Sequence, residues 1–212
     1  MILYLSIMLF GTLLISGLNI IFGTFAFANN IEIWVLSAVS LGVVIEFCID
    51  GIFATLIHAL PDKWFTMDKK IYNVSKKERK FYDKVNIKSW KDKIWELGAL
   101  GGFRKNKIND PNSPKYIEQF IIESNKGVII HIAGVVMGFL ILLFPMPKYW
   151  FSIGLPIAII NAFLNILPIM ALRYNIPRLL IAYQRSVKTL KKVEKDKNIV
   201  NNEDNQIENI KE

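Results

Sequence analysis

Charge is confined to two stretches of this chain, and that confinement limits its fold more than any other feature. Of 26 basic and 18 acidic side chains, only Glu32, Glu46 and Asp50 lie in residues 1–60, and only Lys148 lies in 127–172. All the others sit in 61–126 and 173–212. A soluble domain of 212 residues scatters polar side chains along its length, because every element contributes to the wetted surface. Long uncharged stretches alternating with basic ones describe a polytopic membrane protein instead, and exclude an ordinary soluble domain.

A bilayer core of ~30 Å takes about 20 mostly apolar residues in a helix. Four segments satisfy this on sequence. Residues 1–28 carry no charge; 33–60 are apolar except for Glu46, Asp50 and His58; 127–145 hold His131; and 149–172 are interrupted by Ser152, Asn161 and Asn165. Lipid offers backbone groups no water, so each segment is expected to be helical. Ala26-Phe27-Ala28 imitates a signal-peptidase site, but no basic region precedes it and the apolar run exceeds an h-region, so it reads as an uncleaved span. The expected fold class is an all-α membrane protein with four transmembrane helices.

Lysine and arginine set the orientation. The connection 29–32 has none and 145–149 has only Lys148, whereas 61–126 carries a net +7 and the tail from Arg173 a net +3. Both basic blocks, and with them both termini, belong in the cytoplasm. The organisation expected is a transmembrane hairpin over 1–60, a basic cytoplasmic loop over 61–126, a second hairpin over 127–172, a basic helix over 173–200 and a disordered tail over 201–212.

Within the loop, Trp90, Ile94 and Leu97 recur at i, i+4 and i+7 among lysines, so Lys88 to Leu97 reads as an amphipathic helix lying in the headgroup plane. Gly98, Gly101 and Gly102 end it. With Arg104 they form either a phosphate cradle or a plain surface turn. Asn109 to Pro114 is a turn by composition, and a helix from Tyr116 is expected to run into the third span.

One cysteine, Cys48, and two histidines leave no disulfide framework and no metal centre, so neither metal nor cofactor is expected. Ionisable groups inside a membrane are costly and mark candidate sites. His131 lies about 7 Å below the cytoplasmic end of its span. It could serve as a general base on a hydroxyl or as a cross-helix hydrogen bond. Glu46 and Asp50 share one face of the second span, as an acid pair, a cation site, or carboxyls bonded to Asn19 or Asn161. Asn161 and Asn165 share a face as well.

Topology adds what spacing alone does not. Pro61-Asp62-Lys63-Trp64-Phe65, Glu123-Ser124-Asn125-Lys126 and Arg173-Tyr174-Asn175-Ile176-Pro177-Arg178 all arrive on the same side of the membrane. Glu123 is level with Arg173 and Arg178, which predicts a carboxylate–guanidinium clamp. It is about 12 Å of helix rise from His131, too far to touch it. His131 instead matches Asn165 in depth, which predicts a His131–Asn165 pair in a cavity with a basic mouth. Such a cavity suits an amphiphile with a phosphorylated head and a fatty tail, for example an acyl thioester on a phosphopantetheine arm. The membrane surface accounts for the basic blocks at least as well as nucleic acid does, so no nucleic-acid partner is expected.

These clusters, with Trp90-Lys91-Asp92-Lys93-Ile94, Ile121-Ile122-Glu123-Ser124 and His131, then Asn165-Ile166-Leu167-Pro168 and the Arg173 to Leu179 block, occur in an order that resembles the glycosyl-4,4'-diaponeurosporenoate acyltransferase family over roughly residues 58–180. The resemblance implies a small enzyme of the bacterial cell membrane that attaches a fatty acyl chain to a sugar hydroxyl of a glycosylated carotenoid acid. Joined to the residue-level reading, it predicts an integral-membrane O-acyltransferase. Acyl-CoA or acyl carrier protein would be the donor, and a lipid or glycolipid the acceptor. His131, Asn165 and Glu123 are the expected catalytic residues; Arg173, Asn175, Arg178, Asp62, Lys63 and Trp90 are the expected substrate contacts. The rival reading is a small transporter or lipid-binding subunit that works through Glu46 and Asp50.

Overall fold

A computed structural model describes residues 2–23, 29–94, 110–144 and 150–211, with side chains over 6–23, 29–94, 110–144 and 150–195. The described residues are helical or irregular, and no strand occurs among them. In chain order the α-helices are α1 (Ile2–Ile21), α2 (Ile31–His58), α3 (Lys76–Lys84), α4 (Ile87–Trp90), α5 (Pro114–Met137) and α6 (Trp150–Lys211). Short 3-10 turns occur at Asp62–Trp64, Lys70–Tyr72, Lys91–Lys93 and Gly138–Leu143.

Among the described residues three helical stretches, not four, are long and apolar enough to cross a membrane: Ile31–His58, Pro114–Leu143 and Trp150–Lys195. The first apolar run is helical over Ile2–Ile21. Gly23 takes φ 67°, the left-handed conformation that closes helices, and its N–H bonds the carbonyl of Ile20. Its side chains are described from Ser6, and the apolar stretch Ser6–Ile21 is shorter than the other three. Ala26-Phe27-Ala28 lies outside the described residues.

The helices form a bundle in which α5 and α6 pack most extensively against each other, and α1 and α2 pack on that pair. Ile15, Val35, Val39, Ile45, Ile49, Ile141, Ile153 and Ile157 fill its interior, and Trp150 donates its indole N–H to the Ile141 carbonyl at 2.8 Å. Large apolar side chains such as Phe10, Trp34, Phe47 and Phe163 point outward and stand more than half exposed. An apolar exterior of this kind is what a chain surrounded by lipid tails requires.

Helix α5 begins where turn chemistry places it. Ser113 accepts a hydrogen bond from the Tyr116 amide, and Pro114 occupies the first turn, where a missing N–H costs nothing. It then runs from the loop into the bundle without a break, as the sequence leads one to expect. Helix α6 is longer than its span. It holds Pro156, Pro168 and Pro177 inside and continues to Lys211, across the boundary at 173 and through the stretch whose composition reads as an unstructured tail. No glycine or proline follows Pro177 to stop it.

The described part of the 61–126 loop folds into a cap against the first turns of α5 and the middle of α6. The amphipathic helix expected over Lys88 to Leu97 is not what forms. Asn86 sits at φ 48°, only Ile87–Trp90 is α-helical, Lys91–Lys93 is a 3-10 turn, and Ile94 is extended. Trp90 donates to the Val85 carbonyl at 3.1 Å and packs beside Tyr82, Ile87 and Tyr174, while Ile94 is buried. Trp90 and Ile94, which a headgroup-plane helix would show to lipid, turn into the cap instead. Residues 95–109, with Leu97, the three glycines and Arg104, lie outside the described residues.

Candidate active site

Three helices bring polar side chains together in the middle of the bundle. Glu46 and Asp50 lie one turn apart on α2, Asn161 and Asn165 one turn apart on α6, and His131 on α5. Asn165 and Glu46 are buried, and the side chains are joined by hydrogen bonds throughout. The Asn161 amide donates to Glu46 Oε2 at 3.2 Å and to Asp50 Oδ1 at 3.3 Å. The Asn165 amide donates to Asp50 Oδ2, to the Asn161 carbonyl and to Asn161 Oδ1, each at 3.1 Å. Asn165 Oδ1 lies 2.8 Å from His131 Nδ1. Asn19 bonds Ile15 and Ser152 where α1 meets α6.

The matched depth of His131 and Asn165 thus becomes a direct contact. Two features of the cluster escape a reading by spacing alone. The carboxyls of α2 and the imidazole of α5 are ends of one network rather than separate candidates, because Asn161 and Asn165 bridge them. And α5 meets the asparagines with bare backbone. A Cβ built on Gly134 would lie 2.7 Å from Asn165 Cγ, and one on Gly138 would lie 2.8 Å from Asn161 Nδ2 and 3.1 Å from Glu46 Oε2. Gly134-Val135-Val136-Met137-Gly138 is a small-xxx-small motif of the kind that lets membrane helices approach closely, and it was the signal available in the sequence.

The cap gathers most of the remaining candidates, in partnerships different from those expected. Glu123 does not clamp Arg173 or Arg178. It accepts from Gln119 at 3.1 Å, and Lys126 Nζ lies 3.6 Å and His58 Nδ1 3.9 Å from its carboxylate. Lys126, three residues on along the same helix, captures it before any residue of α6 can. Lys126 is itself buried and reaches Asp62 Oδ1 at 2.6 Å, and this ammonium holds the Asp62 carboxyl below the usual range. The Asn125 amide donates to the Phe65 carbonyl at 2.7 Å, fastening the same loop. Lys63 is exposed, and Asn175 is half-buried on α6.

The carboxylate that meets Arg173 is Glu78, on α3. Ser75 caps that helix by accepting the Glu78 N–H. Arg173 donates from Nε and, at 2.9 Å, from Nη2 to the two Glu78 oxygens, and its Nη atoms reach the carbonyls of Ile71 and Asn73 at 3.2 Å. The Tyr82 hydroxyl donates to Glu78 as well. Burial pushes the Glu78 carboxyl up, but the hydrogen bonds from Arg173 and Tyr82 outweigh it and leave the group below its ordinary value. Burial and the Glu78 charge push the Tyr82 phenol up. Arg173 therefore spends its donors holding the cap to α6. Arg178 is exposed, stacks 4.8 Å over the Tyr174 ring and donates to its hydroxyl at 3.0 Å.

Among the described residues no group of three His, Cys, Asp or Glu side chains could hold a metal ion. The arrangement can move a proton: an imidazole with Nδ1 hydrogen-bonded to Asn165, in a mostly apolar bundle, beneath a basic cap. No curated protein and no solved structure matches the chain significantly. A family model described as glycosyl-4,4'-diaponeurosporenoate acyltransferase matches residues 61–185, from the start of the cap through α5 and into α6, and leaves α1 and α2 outside. That match takes in His131, Asn161, Asn165 and the whole Glu78–Arg173 brace. The chain belongs to the glycosyl-4,4'-diaponeurosporenoate acyltransferase family, whose name implies transfer of an acyl group in carotenoid biosynthesis.

Proposed function

We propose that the protein is an integral-membrane O-acyltransferase that moves a fatty acyl chain from a thioester donor to a hydroxyl of a glycolipid-like acceptor, a glycosylated carotenoid acid among the candidates. The observation that carries the reading is the 2.8 Å contact between His131 Nδ1 and Asn165 Oδ1. An amide oxygen only accepts, so the neutral ring carries its hydrogen on Nδ1 and its basic lone pair on Nε2.

Nε2 takes the proton of the acceptor hydroxyl as its oxygen attacks the thioester carbonyl. The C–O bond forms, and the tetrahedral intermediate collapses with loss of the thiolate. The imidazolium returns the proton to the sulfur, leaving ester and thiol. Asn165 keeps the ring oriented and faces the developing imidazolium with its carbonyl oxygen. Acyl-CoA or acyl carrier protein delivers the thioester from the cytoplasmic side. In this reading the exposed Arg178 and Lys63, with Asn175, are the groups that the donor phosphates would meet, Arg178 as the guanidinium. Arg173 and Glu123 support the cap and Trp90 fills its core.

The test is an assay on isolated membranes supplied with a fatty acyl-CoA or acyl carrier protein and a glycosylated carotenoid acid. Ester formation should depend on the chain and fall by about 10²–10⁴-fold in His131→Ala, the range that positioned acid–base catalysis contributes. Transfer that survives His131→Ala undiminished would refute the assignment.

A further inference from the structure

The hydrogen bond that selects Nε2 as the base holds only while the Asn165 amide presents its oxygen, not its nitrogen, to the ring. Asn165 Nδ2 lies 3.1 Å from three acceptors: Asp50 Oδ2, the Asn161 carbonyl oxygen and Asn161 Oδ1. Reversing the amide would set an oxygen against all three and a nitrogen against Nδ1. Asn161 is held in the same manner, since its own amide nitrogen faces Glu46 Oε2 and Asp50 Oδ1. The chain of orientation therefore begins at the α2 carboxyls, outside the family-matched residues 61–185.

Space fixes the amide as tightly as its bonds do. The Asn165 amide lies flat against α5 at Gly134, where a Cβ would stand 2.7 Å from both Cγ and Oδ1 and 2.8 Å from Nδ2. Elsewhere such a clash is relieved cheaply. At Gly11 a Cβ would meet Ile160 Cδ1, also at 2.7 Å, but that methyl is the free end of a flexible chain and can turn away. Asn165 can retreat only by giving up its bonds to His131, Asp50 and Asn161.

We propose that Asp50 and Gly134 are positioning residues for His131, acting through Asn165: Asp50 sets which end of the amide faces the imidazole, and Gly134 sets where the amide lies. Neither touches the reacting atoms. The kinetic consequence rests on the acyl-transfer reading; the tautomer they impose does not.

The experiment uses the full chain in detergent micelles with ¹⁵N-labelled histidine, in a His58→Gln background so that His131 alone reports, since the chain has two histidines. The parent should give the spectrum of a neutral imidazole protonated at Nδ1. Gly134→Ala and Asp50→Asn should shift it toward the Nε2–H form or a mixture, while Gly11→Ala, with a clash of equal size on an apolar neighbour, should match the parent. In the acyl-transfer assay Gly134→Ala should lower kcat by about 10²-fold, the scale of an ångström-sized misplacement, with KM little changed. A parent protonated at Nε2 overturns the proposal and requires no substitution in the frame. So does a Gly134→Ala spectrum identical to the parent's. Loss of the signature in Gly11→Ala as well would reduce Gly134 to generic helix packing, and also counts against it. If the tautomer pattern holds while His131→Ala still transfers acyl groups, the frame stands and the catalytic role of His131 falls.

Discussion

Arg173, on α6, has two carboxylate oxygens and two backbone carbonyls of the cap within reach of its guanidinium. Only a planar fork of fixed donors serves acceptors in that arrangement, so lysine is a poor substitute. Arg173→Ala should lower stability by about 2–3 kcal/mol, somewhat less than a fully buried pair because the two side chains keep 17% and 22% exposure. Arg173→Lys should recover only part of that. Denaturant unfolding in micelles, followed by tryptophan fluorescence, measures both. The same pair gives the cap an acid limit. Glu78 titrates lower in the folded chain than its ordinary 4.5, so its contribution is complete above that value and is lost as pH falls through the depressed folded value. Glu78→Gln should flatten this acid limb. Residues of this kind are hard to find by reading. Depth along a helix is arithmetic, so His131 and Asn165 could be matched from their distances to the span ends. Glu78 reaches Arg173 only because an irregular loop folds back on α6, and no period in the sequence records that.

At the level of elements, local chemistry was legible wherever a cap or a breaker stands alone. Ser113 and Pro114 start α5, and the helix crosses from loop to bundle as expected. Ser75 starts α3, and Ser75→Ala should cost about 1 kcal/mol and loosen the Glu78–Arg173 brace that depends on where α3 begins; amide exchange over 76–84 would report both effects. The first apolar run forms a helix, α1, as its composition leads one to expect. Gly23 closes α1 after Ile21. The segment 88–94 misled. Its spacing is amphipathic, but the left-handed Asn86 and the extended Ile94 confine the helix to one turn, and burial inside the cap replaced burial in the headgroups. The boundary at 173 is marked by charge, which resumes at Arg173, and α6 runs through it as one helix because no glycine or proline follows Pro177.

On the scale of the whole molecule, the site is shared between two parts of the chain. Residues 61–185 carry the family match and supply His131, Asn161 and Asn165; α2 supplies Glu46 and Asp50 from outside it. We propose that the basic cap faces the cytoplasm, as the distribution of lysine and arginine requires. In a Cys48→Ser background, Thr66→Cys should then react with a membrane-impermeant maleimide in inverted vesicles and be protected in right-side-out ones; the reverse pattern would place the donor on the wrong side. The central claim, however, is that His131 carries acyl transfer, and lipid mass spectrometry on intact cells tests it most directly. Cells carrying the wild-type chain and cells carrying His131→Ala are compared at matched expression. The account predicts a polar lipid that gains the mass of one fatty acyl group with the wild type, and falls by about two orders of magnitude or more with the variant. Equal amounts of that acylated lipid in both, or identical profiles with no acylated species in either, would contradict it.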